Sequence, residues 1–179
     1  HYWEMMFEQA GKRPVPHGTQ VGVGTVLVLK LVEHLLKADV DFAAARAAAK
    51  RYDPARWEKE IHTAYGPAAD GVIEMEAKAQ KNETSARLAR IDAMEAHWNE
   101  IRALLSELPS SEKISGVLHT LGSPCTPAEI GVDAQLLKST FLYCKEVRAR
   151  YTILQMVWDL DLLDQLSDEV IAELNRNKE

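Results

Sequence analysis

The sequence predicts an all-α domain of about nine to ten helices, and three observations carry that expectation. Apolar residues recur at three- and four-residue spacing along most of the 179 residues. No run alternates apolar and polar residues in the way a half-buried strand requires. The Pro, Gly, Asp and Ser residues that interrupt the apolar pattern stand where helices begin or end.

The elements follow in order. Gly11 to Pro16 reads as a loop, with Gly11, Pro14 and Pro16 around the basic pair Lys12-Arg13. Gln20 to Leu36 is apolar on nearly all faces and is expected to be the central, most buried helix. Asp39 is expected to start an Ala-rich helix from Phe42 to Arg51. Asp53-Pro54 is a helix start, with Asp as N-cap and Pro at the first helical position. Gly66-Pro67 breaks the chain before a helix from about Ala68 to Lys81. Asn82 to Leu108 reads as one long polar helix, with Leu88, Ile91, Met94, Trp98, Ile101 and Leu105 on one stripe. Pro109-Ser110 caps a helix from Glu112 to Leu121. Thr126-Pro127-Ala128-Glu129 has the form of a capping box with Pro at N1. Asp133 caps Ala134 to Ala149, Tyr151 to Leu163 is a further apolar helix, and Ser167-Asp168-Glu169 caps the last one. Residues 1–179 contain no internal repeat or flexible linker and are read as a single helical domain.

Composition narrows the function classes. Lys plus Arg number 21 against 27 Asp plus Glu, a formal net charge of −6. A negative surface repels phosphate backbones and anionic lipid, so neither nucleic acid nor membrane is an expected partner. The apolar stretch Val21 to Leu36 is interrupted by Lys30, Glu33 and His34, which suits a buried helix rather than a membrane span. Cys125 and Cys144 match no metal or redox spacing and are read as reduced thiols, so the expected compartment is the cytoplasm. The chain opens on His1 instead of Met, with no signal peptide, and a longer parent is expected.

Six histidines are the main candidates for chemistry. His34, His62, His97 and His119 lie within helices among charged neighbours and are expected to be structural or surface residues. His17 differs, because it stands in a loop directly before Gly18, at the mouth of a helix carrying Gly22 and Gly24. A neutral imidazole there suits a divalent cation. The glycines would let a neighbouring element or ligand approach with no side chain between. From these residues alone His17 is either a metal ligand or a helix-capping His with packing glycines.

The stretch His17-Gly18-Thr19-Gln20-Val21-Gly22-Val23-Gly24-Thr25 resembles the His-Gly-x-x-Val-Gly-x-Gly-Thr segment of glycerol-1-phosphate dehydrogenases. These are similar to iron-containing alcohol dehydrogenases, glycerol dehydrogenases and dehydroquinate synthases. Lys145-Glu146-Val147-Arg148-Ala149-Arg150-Tyr151-Thr152-Ile153-Leu154 resembles the family's near-C-terminal Lys-Glu-x-Arg-x-Arg-Tyr-Thr-x-Leu block, and Thr126-Pro127-Ala128-Glu129-Ile130-Gly131 the segment before it. From about Ala38 to Pro109 only the helical character matches.

The resemblance implies the multi-helix C-terminal domain of a dehydroquinate synthase-like fold. It implies that His17 is a ligand to zinc or another divalent metal. A second ligand is the first His of a Glu-His-x-x-Ser-His motif, which would lie just before residue 1. His1, in His1-Tyr2-Trp3-Glu4-Met5, then corresponds to the second His and lines the substrate site, and a one-turn slip would make it a ligand instead. NAD or NADP would be bound mainly by an N-terminal nucleotide-binding domain, together with an Asp metal ligand, neither of which this chain contains. The implied reaction interconverts sn-glycerol 1-phosphate and dihydroxyacetone phosphate, in the metabolism that supplies phospholipid. The metal acts as a Lewis acid at C2 and hydride passes to or from the nicotinamide. The partner is a phosphorylated polyol, a homo-oligomer is compatible, and no catalytic side chain is assigned within these residues. Lys145, Arg148, Arg150, Tyr151 and Thr152 carry the resemblance and are read as packing residues. Glycerol dehydrogenase and dehydroquinate synthase are alternatives within the superfamily. A free-standing helical interaction module is the alternative outside it, but leaves His17-Gly18 and the Gly22/Gly24 pair unexplained.

Overall fold

The computed structural model describes residues 1–13 and 15–176; Pro14, placed by the sequence in the first loop, lies outside the described residues. Eleven α-helices and three 3-10 turns make up the described chain, and no strand occurs among the described residues. The helices are α1 (Tyr2–Gln9), α2 (His17–Lys37), α3 (Phe42–Lys50), α4 (Pro54–Tyr65), α5 (Ala69–Ala79), α6 (Thr84–Ala96), α7 (Trp98–Ser106), α8 (Ser111–Thr120), α9 (Ala134–Tyr143), α10 (Ile153–Asp159) and α11 (Leu163–Arg176).

Local chemistry sets most of the helix starts. Asp53 accepts the backbone N–H groups of Ala55 and Arg56, with Pro54 at the first helical position of α4. Ser110 accepts from Lys113 at the start of α8, and Asp133 from Leu136 at the start of α9. Each satisfies a donor that the first turn of a helix leaves without a partner.

The long α2 is the axis of the domain, packing against α7, α8, α10 and α11. Its buried residues Val23, Leu27, Leu31 and Leu35 recur every four positions, while Val21 is half exposed. The helix is therefore central but not covered all round, and the expectation that it would be the most buried element is corrected. Eight of its 21 residues are buried, against five of seven in α10. Among the described residues α2 is the one helix long and apolar enough, by length and composition, to cross a membrane. Here that apolar surface is used against its neighbours. Helix α8 runs antiparallel beside it. Leu118 lies 3.1 Å from where a Cβ on Gly22 would sit, and the Glu33 carboxylate accepts the backbone N–H (2.6 Å) and hydroxyl (2.9 Å) of Ser111. Gly22 thus allows the close approach expected of it, whereas Gly18 and Gly24 face open space.

Several boundaries differ from the sequence reading. Helix α2 already begins at His17, which was expected in the loop, Asp41 instead of Asp39 caps α3, and α10 covers only Ile153–Asp159 of the expected Tyr151 to Leu163. Asn82 to Leu108 is two helices: the backbone leaves helical geometry at His97 (φ −118°, ψ 18°), which ends α6 and starts α7. The Thr126 start yields only a 3-10 turn, Ala128–Ile130, because Gly131 takes a left-handed conformation (φ 77°) and closes it. Only the Glu half of the expected capping box forms: the Glu129 carboxylate accepts from the backbone of Cys125 and Thr126. Helix α9 ends at Tyr143 instead of Ala149, because the 3-10 turn Cys144–Glu146 turns two charged side chains into the core. The last helix starts at Leu163, and Ser167 lies inside it, buried, with its hydroxyl donating to the carbonyl of Asp164.

Those two charged side chains are Lys145 and Glu146, both nearly inaccessible. Glu146 pairs with Lys145 and with Lys81 (2.8 Å) and accepts from Asn82 (3.0 Å) and the Trp57 indole (3.3 Å). Asp159, fully buried, receives Arg90 through two bonds and lies 3.4 Å from Arg87. The Trp158 ring carries both cations, Arg87 at 3.6 Å and Lys145 at 4.1 Å from its centre. The Lys-Glu-x-Arg-x-Arg-Tyr-Thr block therefore contributes an internal ion network joining the α5–α6 connection to α10.

Candidate metal centre

Helix α1 is fixed before it can position anything else. Tyr2, Trp3 and Phe7 are buried on one face. The Tyr2 hydroxyl donates to the carbonyl of Ala64 (3.1 Å), and the Trp3 indole to the Thr140 hydroxyl (2.7 Å). Gln9 adds a bond to the carbonyl of Tyr65 (3.0 Å). These contacts tie α1 to α4 and α9 and turn Glu4 toward the start of α2. At that start Gln20 is buried and donates to the carbonyl of Val15 (2.7 Å), which holds the incoming loop.

His1 and His17 are brought together here. Their rings stack with centres 4.8 Å apart and planes inclined by 28°. Glu4 lies between them and bonds to both: Oε2 to His1 Nδ1 at 2.9 Å and Oε1 to His17 Nδ1 at 2.8 Å. Both imidazoles are about half exposed, at 52% and 51%, so the cluster opens to solvent. The sequence reading named both histidines and missed Glu4. The one available signal was its i,i+3 spacing from His1 on a helix.

Ligand-type atoms of His1, Glu4 and His17 lie within 4.8 Å of one another. Two imidazoles and a carboxylate are the donor types that zinc and similar divalent ions take. Nitrogens bound to one tetrahedral zinc sit roughly 3.3 Å apart, given Zn–N bonds of about 2.0 Å. The cluster is more open than that coordination sphere, so the residues fit such an ion in kind. Two further features lie in the same stretch of sequence. Lys12 and Arg13 are exposed in the loop between α1 and α2, and the first turn of α2 receives no side-chain cap. An uncapped helix start favours anions.

The other histidines lie elsewhere. His34 bridges α2 to α11, with Nδ1 2.9 Å from Glu169 and Nε2 2.9 Å from Glu173. His62 and His97 are exposed on the surface. His119 lines a groove of about 950 Å³ between α2, α8, α9 and α11, together with Val26, Lys30, Cys125 and Leu137. Val26 is nine residues along α2 from His17, roughly 14 Å at 1.5 Å per residue, so groove and cluster are separate. Cys125 and Cys144 form no disulfide, and burial pushes the Cys144 thiol up to about 12, which keeps it protonated and inert.

Comparison with known proteins gives one consistent match. No family model matches the chain, and no solved structure does. The glycerol-1-phosphate dehydrogenase [NAD(P)+] of Geobacillus stearothermophilus is 27% identical over 161 residues, covering 89% of this chain and 31% of that protein. The glycerol-1-phosphate dehydrogenase [NAD(P)+] of Geobacillus thermodenitrificans is 24% identical over 165 residues, covering 92% and 32%. The chain is similar to glycerol-1-phosphate dehydrogenases along about nine-tenths of its length, and spans about a third of the length of the curated relatives it matches.

Proposed function

We propose that these residues form the helical, metal- and substrate-binding part of an NAD(P)-dependent glycerol-1-phosphate dehydrogenase, which interconverts sn-glycerol 1-phosphate and dihydroxyacetone phosphate. The observation that carries the reading is the meeting of His1 and His17 across Glu4 in a chain similar to those enzymes along nearly its whole length. The nucleotide-binding half with its Asp ligand, and the motif's first His as a second ligand, are assigned to sequence outside these residues. The 179-residue chain by itself is then inactive.

His17 holds the metal, zinc or another divalent ion, through the ring nitrogen that Glu4 leaves free. When bound, that ion supplies Lewis acidity to the oxygen at C2 of the substrate. His1 stacks beside His17 and presents its own free nitrogen to the substrate on the same side. The uncapped start of α2 favours the substrate phosphate through its backbone N–H groups, while Lys12 and Arg13 are read as solvated loop charge.

Reduction of dihydroxyacetone phosphate by NADH or NADPH in the full-length protein tests the reading. Turnover is expected in the native protein and its loss in His17→Ala, with nucleotide affinity and helix content unchanged. His17→Ala turning over at the native rate would reduce His17 to a helix-start residue and remove the assignment.

A further inference from the structure

The Glu4 carboxylate meets both histidines, and it meets each at the same atom, Nδ1. A carboxylate only accepts hydrogen bonds, so each Nδ1 must carry the proton it shares. A neutral ring protonated at Nδ1 has its lone pair at Nε2, on the opposite edge, facing away from Glu4. We infer that Glu4 is a positioning residue that sets the tautomer of His1 and His17 together and aims both Nε2 atoms at the ligand side of the cluster.

Three features support this beyond the two distances. Glu4 sits on a helix whose other face is locked by Tyr2, Trp3 and Phe7, so the carboxylate is held by a rigid element. The two oxygens are divided one to each ring, which spaces the rings and produces the stacked pair at 4.8 Å. A carboxylate bonded to the far nitrogen of a ligating histidine raises that ligand's basicity and fixes its orientation, and removing such a partner weakens metal binding by about 10- to 100-fold. Glu4 is consequently read as the support of the ligand, not as a ligand.

The inference rests on the proposed metal role of His17, and the test separates the two. Long-range proton–nitrogen NMR on the imidazole-15N-labelled 179-residue chain, at a pH where the rings are neutral, reports which nitrogen carries the proton. His17 and His1 are expected as Nδ1–H tautomers in the native chain. In Glu4→Ala both are expected to move toward the Nε2–H form that a free imidazole prefers. Glu4→Gln keeps one acceptor oxygen and is expected to retain the Nδ1–H form at one ring only. Addition of Zn2+ up to millimolar concentration is expected to shift His17 at Nε2, with apparent affinity falling about 10- to 100-fold in Glu4→Ala. Circular dichroism of both variants monitors the fold. A native His17 protonated at Nε2, or Zn2+ entering at Nδ1, would overturn the role of Glu4. Zn2+ shifts that survive unchanged in His17→Ala would instead overturn the metal reading, while the tautomer result would still stand.

Discussion

Glu146 shows how a charge is tolerated inside this domain. Burial alone would raise its carboxyl, but the ammonium groups of Lys145 and Lys81 overcome that and hold it down at about 2. Lys145 is pushed the other way by the same burial, and its pairing with Glu146 opposes the loss of its charge. Because the folded carboxyl titrates below the ordinary range near 4.3, its ionised form contributes stability that is complete above that range. That contribution is lost as pH falls toward 2. Glu146→Gln leaves two buried ammonium groups without a counter-charge, and a loss of about 3–5 kcal/mol is expected at pH 7. Urea denaturation at pH 7 and at pH 3 checks both statements. The gap between native and variant should narrow at the lower pH, where the native protein begins to lose the same charge. Equal stability of the two proteins at pH 7 would mean that the network carries no net energy.

At the scale of elements, α11 is held to α2 by polar contacts as well as by apolar packing. His34 reaches Glu169 and Glu173, and Lys30 pairs with Glu173 on the same turn of α11. His34→Ala is expected to cost roughly 1–2 kcal/mol, the loss of two hydrogen bonds to partly exposed carboxylates. It should leave Zn2+ binding unchanged, and thermal unfolding with zinc titration measures both. Ser110→Ala removes the cap of α8 and should cost about 1 kcal/mol. Such starts were legible in the sequence because a cap acts within three residues: Asp53, Ser110 and Asp133 were all readable from their neighbours. The break at His97 was not. The stripe Leu88, Ile91, Met94, Trp98, Ile101 and Leu105 keeps its helical spacing across it, so periodicity carries no mark of the interruption. The inward turn of Lys145 and Glu146 was equally hidden, because their partners Lys81, Asn82 and Trp57 lie more than 60 residues away. Local pattern predicted an ordinary continuing helix there.

For the whole molecule, the candidate centre depends on two elements being delivered to one place. Helix α1 brings His1 and Glu4, α2 brings His17, and the α1 anchors at Ala64, Tyr65 and Thr140 fix the first against the rest. The two histidines were legible through the motifs around them. Glu4 was not, because only the reversal of the chain between α1 and α2 turns its carboxylate toward His17, 13 residues along the sequence. The chain is similar to glycerol-1-phosphate dehydrogenases along about nine-tenths of its length, and the fold supplies the geometry of the candidate centre. The central claim is that His17 is a metal ligand, and elemental analysis of the full-length protein after equilibration with Zn2+ and gel filtration tests it most directly. The native protein is expected to retain stoichiometric zinc, and His17→Ala to retain less than about a tenth of it, since losing a ligand from a tetrahedral site removes most of its affinity. Equal zinc in the two proteins would contradict the claim.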